Sequence, residues 1–125
     1  MLEQDILKAI EEKISVCGEY YQESIANMNL KRIDFENSIF QECKFENCDF
    51  TNSSFSHVEM TKCSFKNCKF ISSYWNSSTV TDCNGDGCDF NQSIFKNIDI
   101  NKSSFFYANY SNSLWGEYEY QRQFL

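Results

Sequence analysis

Few residues of this 125-residue chain have types and spacings that could support chemistry, and the best candidate is an acidic stretch near residue 84. Asp82, Asn84, Asp86 and Gly87 match the first half of the calcium-loop pattern, in which alternating oxygen ligands precede a glycine. The second half fails, because its twelfth position is Ser93 and not a bidentate glutamate. Two interpretations stay open: a weak calcium site formed by Asp82, Asn84 and Asp86, or a polar turn.

Catalytic patterns are otherwise missing from the sequence. The single histidine, His57, stands two residues after Phe55 and has no cysteine, serine or carboxylate at a spacing that suggests a catalytic pair. None of the GxSxG, GxxxxGK and HExxH motifs occurs. We therefore predict no catalytic residues, no cofactor and no enzymatic activity.

Cysteines offer a third possible chemistry, and six of the seven recur at 20-residue spacing. They form two series: Cys43, Cys63, Cys83 and Cys48, Cys68, Cys88. Disulfides or a metal would use the thiols chemically, but no CxxC pair or histidine partner supports zinc. Packing as small apolar side chains is the favoured interpretation, which fits a reducing cytoplasm.

The elements that position these residues follow a period of five. A large apolar residue occupies every fifth position from Leu30 to Trp115, with Gly85 as the exception, and a small or aliphatic residue usually stands two positions earlier. Helices repeat every 3.6 residues and strands every 2, so neither element explains the pattern. A strict longer period indicates a coiled solenoid.

Stretches such as CKFENCDFTNSSF and CSFKNCKF resemble the pentapeptide-repeat family over about residues 28–115. The resemblance implies an all-β solenoid, a right-handed quadrilateral β-helix in which four pentapeptides make one square coil. We expect about four coils. The phase predicts that the six columnar cysteines point inward together with these aromatic residues: Phe35, Phe40, Phe45, Phe50, Phe55, Phe65, Phe70, Trp75, Phe90, Phe95 and Phe105.

Charges provide an independent test of the 20-residue coil. Residues 20 apart should be vertical neighbours, and opposite charges attract at such positions. Three columns alternate in sign: Glu42, Lys62, Asp82, Lys102; Glu46, Lys66, Asp86; and Asp49, Lys69, Asp89. The alternation supports the square coil, although each exposed pair contributes little stability.

We predict a single domain with four segments: an N-terminal helical cap over residues 1–18, a lead-in over 19–27, the β-helix over 28–115 and a tail over 116–125. The apolar residues of the predicted helix, Leu2 to about Val16, form one stripe: Leu2, Ile6, Leu7, Ile10 and Ile14. Gly18 stands where a C-terminal cap is expected. A cap over the first coil is favoured over a helix that docks a partner or lies on a membrane.

The N-terminal segment is too charged for a signal peptide, and no run of 18 apolar residues occurs, so we predict no membrane association. The function that the sequence favours is a protein-interaction scaffold with an unknown partner. Tyr74, Ile94 and Leu114 should form an outward apolar stripe, and Phe106 and Tyr107 should lie outward on another face of the last coil. Flanking side chains or the tail would cover the stripe in the alternative interpretation.

The family resemblance also implies a second function. Some pentapeptide-repeat proteins resemble DNA in shape and charge and bind bacterial DNA gyrase or topoisomerase IV, which gives quinolone resistance. A net charge of −7 fits that function, but residues 24–115 hold ten acidic and eight basic side chains and are nearly neutral. A DNA mimic requires uncompensated carboxylates along the rod. We predict no direct binding of nucleic acid.

The C-terminal tail collects aromatic residues, and its role has two interpretations. Trp115, Tyr118, Tyr120 and Phe124 could cover the last coil of a monomer or form an interface between two copies. Relatives that dimerise do so through this end, so the resemblance favours a homodimer. An isologous pair would also protect an otherwise open coil end.

Overall fold

The structure is a computed structural model in which residues 1–116 are described. One helix precedes a series of short parallel strands, so the predicted all-β solenoid with an N-terminal helix is confirmed. The elements are α1 (Leu2–Glu12), β1 (Glu19–Tyr21), β2 (Ser24–Ala26), β3 (Asp34–Glu36), β4 (Ile39–Gln41), β5 (Lys44–Glu46), β6 (Ser54–Ser56), β7 (Glu59–Thr61), β8 (Tyr74–Asn76), β9 (Thr79–Thr81), β10 (Ile94–Lys96), β11 (Asp99–Asn101) and β12 (Leu114–Trp115). Within residues 1–116, α1 is too short and too polar to cross a bilayer.

The strands stack at a register of 20 residues. Two five-stranded sheets run β1-β4-β7-β9-β11 and β3-β6-β8-β10-β12, and a third pairs β2 with β5. Single parallel bridges such as Asp49↔Lys69 and Lys69↔Asp89 continue the pairing on the fourth side. Because each strand residue pairs in register with the one 20 positions away, the four sides close into square coils.

The structure contains five coils, one more than the sequence analysis predicted. Tyr20 and Ile25 already occupy core positions at the centres of β1 and β2. The five-residue pattern is difficult to recognise in the first coil, because Glu23 stands two residues before Ile25. Later coils carry a small residue at that position. Its Oε1 atom accepts a hydrogen bond of 2.8 Å from the Leu2 main-chain N–H, and a carboxylate is favourable at this helix terminus.

Aromatic rings fill the core in vertical stacks. All the inward aromatic residues and the six columnar cysteines are buried, which confirms the predicted phase. The rings of Phe35 and Phe55 lie 5.1 Å apart at 8°, and those of Phe50 and Phe70 lie 4.7 Å apart at 3°. Neighbouring stacks meet edge to face, as Phe45 and Phe50 do. Both arrangements are favourable for aromatic rings.

Helix α1 differs from the predicted helix in length and orientation. It ends at Glu12, and Lys13 forms its C-cap with φ 58° and ψ 47°, so Gly18 does not cap it. Leu2, Ile6 and Ala9 join the buried core, while Leu7, Ile10 and Ile14 are exposed. The prediction of a single stripe was therefore wrong.

A polar bond also anchors α1 to the first coil. The Tyr20 hydroxyl donates to Asp5 over 2.7 Å. Burial and this bond raise the pKa of Tyr20 above its usual value, so the hydroxyl stays a donor at neutral pH.

Gly85 interrupts the stack of rings that contains Phe45, Phe65 and Phe105. A Cβ atom at Gly85 would lie 2.4 Å from the Phe105 ring and 2.9 Å from the Phe65 ring. The two rings have approached each other to 6.0 Å across the missing side chain. Only about 10 Å³ of apolar space is left nearby, so the neighbours have filled most of the gap.

We predict that Gly85→Ala destabilises the protein by about 1–3 kcal/mol, because the added methyl group overpacks a site that Phe65 and Phe105 already fill. Gly116→Ala is the matched control, since its Cβ atom would meet its nearest neighbour at an ordinary 3.4 Å. Urea unfolding of both variants measures the difference. Equal stability would show that the rings do not close over Gly85.

Candidate protein-interaction surfaces

The predicted apolar stripe lies on the sheet that β12 completes. Ile94 pairs with Tyr74 on one side and with Leu114 on the other, so the three side chains stack at successive coils. Tyr74 is partly exposed, whereas Ile94 and Leu114 are 40% and 64% exposed. Below Tyr74 the column continues with Ser54 and Asp34, which are hydrogen-bonded to each other. The stripe is therefore apolar only over the last three coils, and its exposure increases toward the last one.

A second exposed pair occupies a corner of the last coil. Phe106 is 54% exposed and Tyr107 is 96% exposed. Asp86 holds this corner, because its carboxylate accepts hydrogen bonds from the Phe106 N–H at 2.8 Å and from the Ser104 hydroxyl. Tyr107 has a left-handed φ of 62°, which is uncommon for a bulky residue. Coil geometry thus fixes two aromatic side chains in solvent.

The calcium candidates have other hydrogen-bonding roles. Asn84 Oδ1 accepts from the Asp86 N–H at 2.9 Å, and Asp86 binds the corner above it. Asp82 is exposed at a different corner. Among the described residues, no cluster of three His, Cys, Asp or Glu side chains could hold a metal ion. The geometry favours the polar-turn interpretation of this stretch.

The charge columns keep the predicted register without forming close ion pairs. Corner residues 20 apart lie in adjacent coils, and the N–H of Glu42 bonds to the Thr61 carbonyl at 2.9 Å. No lysine of the three columns comes within 4.0 Å of a carboxylate in its own column; the ion pair that forms among residues 1–116 joins Lys31 to Asp49 at 3.8 Å. His57 is another exposed corner residue, with φ 55°.

The buried cysteines act as hydrogen-bond donors as well as packing groups. Cys63 Sγ donates to the Phe40 carbonyl at 3.3 Å, and Cys88 Sγ donates to the Phe65 carbonyl at 2.9 Å. Burial raises the pKa of Cys88 to about 12, and hydrogen bonding to Cys48 together with burial raises the pKa of Cys68. Cys17 is exposed and is the exception among the seven.

At the C-terminal end, Trp115 is half-buried and stacks on Phe95, with ring centroids 4.0 Å apart at 13°. It packs against the core cluster together with Tyr110. Tyr118, Tyr120 and Phe124 lie outside the described residues.

Sequence reasoning missed a groove at the opposite end, between α1 and the first coil. Ile10, Ile14, Lys13 and Arg32 are among its lining residues, and it encloses about 470 Å³. The helical stripe gave no sign of this groove, because only the packed first coil shows that Leu7, Ile10 and Ile14 stay exposed.

Comparison with known proteins agrees with this architecture. The family model described as "Pentapeptide repeat region" matches residues 38–105, more than half of the chain. A model of the SV2A/B/C luminal domain matches residues 4–53, which is less than half. No curated protein matches the chain.

Among solved structures, the chain is similar to QnrB1, a plasmid-mediated fluoroquinolone resistance protein. One trypsin-treated form has a TM-score of 0.63 at 22% identity over 77% of this chain and 54% of QnrB1. A second trypsin-treated form has a TM-score of 0.51 at 23% identity over 78% of this chain and 46% of QnrB1. This chain thus spans about half the length of QnrB1, and the likeness shows the fold alone.

We predict that one thiol of the native protein reacts rapidly with a maleimide at about pH 8, because thiolate formation and access control the rate. Cys17 is that thiol, and the six buried thiols should react only after denaturation. Cys17→Ser should remove the fast phase. Rapid labelling of all seven cysteines in the native protein would contradict the buried columns.

Proposed function

Because this chain belongs to the pentapeptide-repeat family, whose repeated positions build a scaffold, we propose that it is a non-enzymatic protein-interaction scaffold. The observation that carries the proposal is the apolar stripe of Tyr74, Ile94 and Leu114, held in solvent by strand pairing. A contiguous exposed apolar surface marks an interaction site more often than a single exposed residue does. The buried cysteines are free and form no disulfides, which is compatible with a reducing compartment such as the cytoplasm.

We also propose that two copies associate through the C-terminal end. β11 and β12 are the outermost strands of their sheets, and exposed strand edges favour pairing. Phe106, Tyr107 and Leu114 place large exposed apolar side chains on this last coil. The aromatic residues of the tail, Tyr118, Tyr120 and Phe124, are proposed to contribute. In the competing arrangement the tail covers the last coil of a monomer.

We expect sedimentation at tens of micromolar to show a dimer. The double variant Phe106→Ser/Leu114→Ser removes two exposed apolar side chains of the last coil. It should weaken association by about tenfold or more, since interface energy concentrates in such side chains. Tyr21→Ser, at an exposed aromatic residue of the first coil, is the control and should leave association unchanged. A strictly monomeric wild-type protein would contradict the dimer and support the covering tail.

The stripe has its own test, which uses proteins recovered from the native host by cross-linking. A specific partner should be recovered with the wild-type protein and lost with Ile94→Glu, while the exposed control Lys96→Glu on the same strand retains it. A partner recovered equally with both variants would contradict the role of the stripe.

Binding to DNA gyrase or topoisomerase IV is the second candidate function. The fold likeness to QnrB1 and the net charge of −7 favour it. The near neutrality of residues 24–115 opposes it, because a DNA mimic uses a continuous acidic surface. Supercoiling by purified gyrase, with and without a fluoroquinolone, is the direct assay. A change in activity or drug sensitivity at micromolar protein would favour this function over the scaffold with another partner.

A further inference from the structure

Helix α1 carries a second apolar stripe that the protein leaves exposed. Leu7, Ile10 and Ile14 are each between 46% and 50% exposed, on the flank of the helix whose other side is buried. Ile14 follows the C-cap at Lys13, and its N–H bonds to the Ala9 carbonyl at 3.2 Å. The end of the helix is therefore fixed, and the apolar flank keeps a defined position.

The chain after the helix is bound to the first coil. Val16 pairs with Phe35: its N–H donates to the Asp34 carbonyl at 2.8 Å, and its carbonyl accepts from the Glu36 N–H at 2.9 Å. This pairing holds Lys13 and Ile14 beside the corner formed by residues 31–33. The result is the groove of about 470 Å³, whose size is typical of binding clefts.

The groove is basic, although the protein as a whole is acidic. Three cations, Lys13, Lys31 and Arg32, line it, against one carboxylate, Asp34. Asp34 accepts a hydrogen bond from the Ser54 hydroxyl, and Lys31 pairs with Asp49 outside the groove. Lys13 and Arg32 form no ion pair with any residue from 1 to 116. The exposed cations Lys13 and Arg32 thus lie beside the apolar floor of the groove, which Ile10 and Ile14 form.

We propose that this groove binds an acidic segment of another protein that inserts an apolar side chain between Ile10 and Ile14. The carboxylates of the segment meet Lys13 and Arg32, so the same partner satisfies both the charge and the apolar surface. The site is independent of the C-terminal surfaces, because it lies at the opposite end of the solenoid.

Charge complementarity selects this partner over the other occupants. An anionic membrane would meet the carboxylates of Glu3, Glu11 and Glu12 on the exposed surface of the same helix. A separate acidic peptide is short enough to bind Lys13 and Arg32 without covering those carboxylates. A second copy of the chain, with a net charge of −7, is the remaining occupant, and sedimentation of the groove variant tests it.

Fluorescence anisotropy with a designed probe tests the proposal. The probe is a capped, labelled peptide of about 16 residues with leucines at helical spacing and glutamates elsewhere, long enough to form a helix on binding. Lys13→Glu/Arg32→Glu should weaken its binding at least about tenfold, while Lys66→Glu/Lys96→Glu, with the same change in net charge, should change it less than about twofold. Ile10→Ser should also weaken binding, and the same peptide with glutamine in place of glutamate should bind less tightly.

Thermal melting by circular dichroism confirms that each variant is folded before binding is compared. Equal weakening by the two double variants, or no binding of the probe to the wild-type protein, would overturn the proposal. If Lys13→Glu/Arg32→Glu instead abolishes self-association in sedimentation, the groove belongs to a second copy and the acidic-peptide assignment is wrong. Loss of the C-terminal dimer alone leaves probe binding intact, so the two proposals fail separately.

Discussion

The left-handed corner is the constraint on which the rest of the structure depends. Every fifth residue from Gln22 to Asn112 has a positive φ, and this conformation turns the chain between adjacent sides of the square. Asparagine fills seven of these corners, because it tolerates the left-handed region better than most residues do. Longer side chains such as Arg32 and Lys62 occupy others, at a cost of roughly 1–2 kcal/mol each. The rigid turn leaves two inward positions in each repeat.

Those inward positions combine ring stacking with hydrogen bonding. The small residue bonds to the coil below it, so that Ser53 Oγ donates to the Leu30 carbonyl at 2.7 Å and Ser93 Oγ to the Phe70 carbonyl at 2.7 Å. Cysteine thiols make the same contact, at distances from 2.9 Å for Cys88 to 3.7 Å for Cys48, which explains why either cysteine or serine fits at this position. Trp75 fits among phenylalanines because its Nε1 donates to Ser73 Oγ at 3.0 Å. Among the described residues, every buried side-chain nitrogen and oxygen has a hydrogen-bond partner.

The five-residue period correctly predicted which side chains of the coils point into the core. The prediction failed where contacts outside the repeat decide the structure. Phe50 and Cys68 could be placed inward because any shift of phase would expose a whole column. The first coil was hidden by Glu23, whose side chain binds the helix terminus and not the core. Helix burial was overestimated because the first coil covers only Leu2, Ile6 and Ala9. Ion pairs between columns could not be read from sequence, since spacing gives register and not side-chain distance.

The inward side chains pack in the core. The chemical differences between the surfaces of the solenoid therefore come from its outward side chains. The two ends differ in chemistry: the N-terminal groove is basic with an apolar floor, and the last coil exposes Phe106, Tyr107 and Leu114. A head-to-tail contact would cover the groove and the last coil together and leave a filament that does not close. A two-fold dimer through the last coil would instead place both grooves at its far ends, about 50 Å apart for ten stacked coils. Such a dimer would bind two acidic segments on one partner more tightly than either groove binds alone.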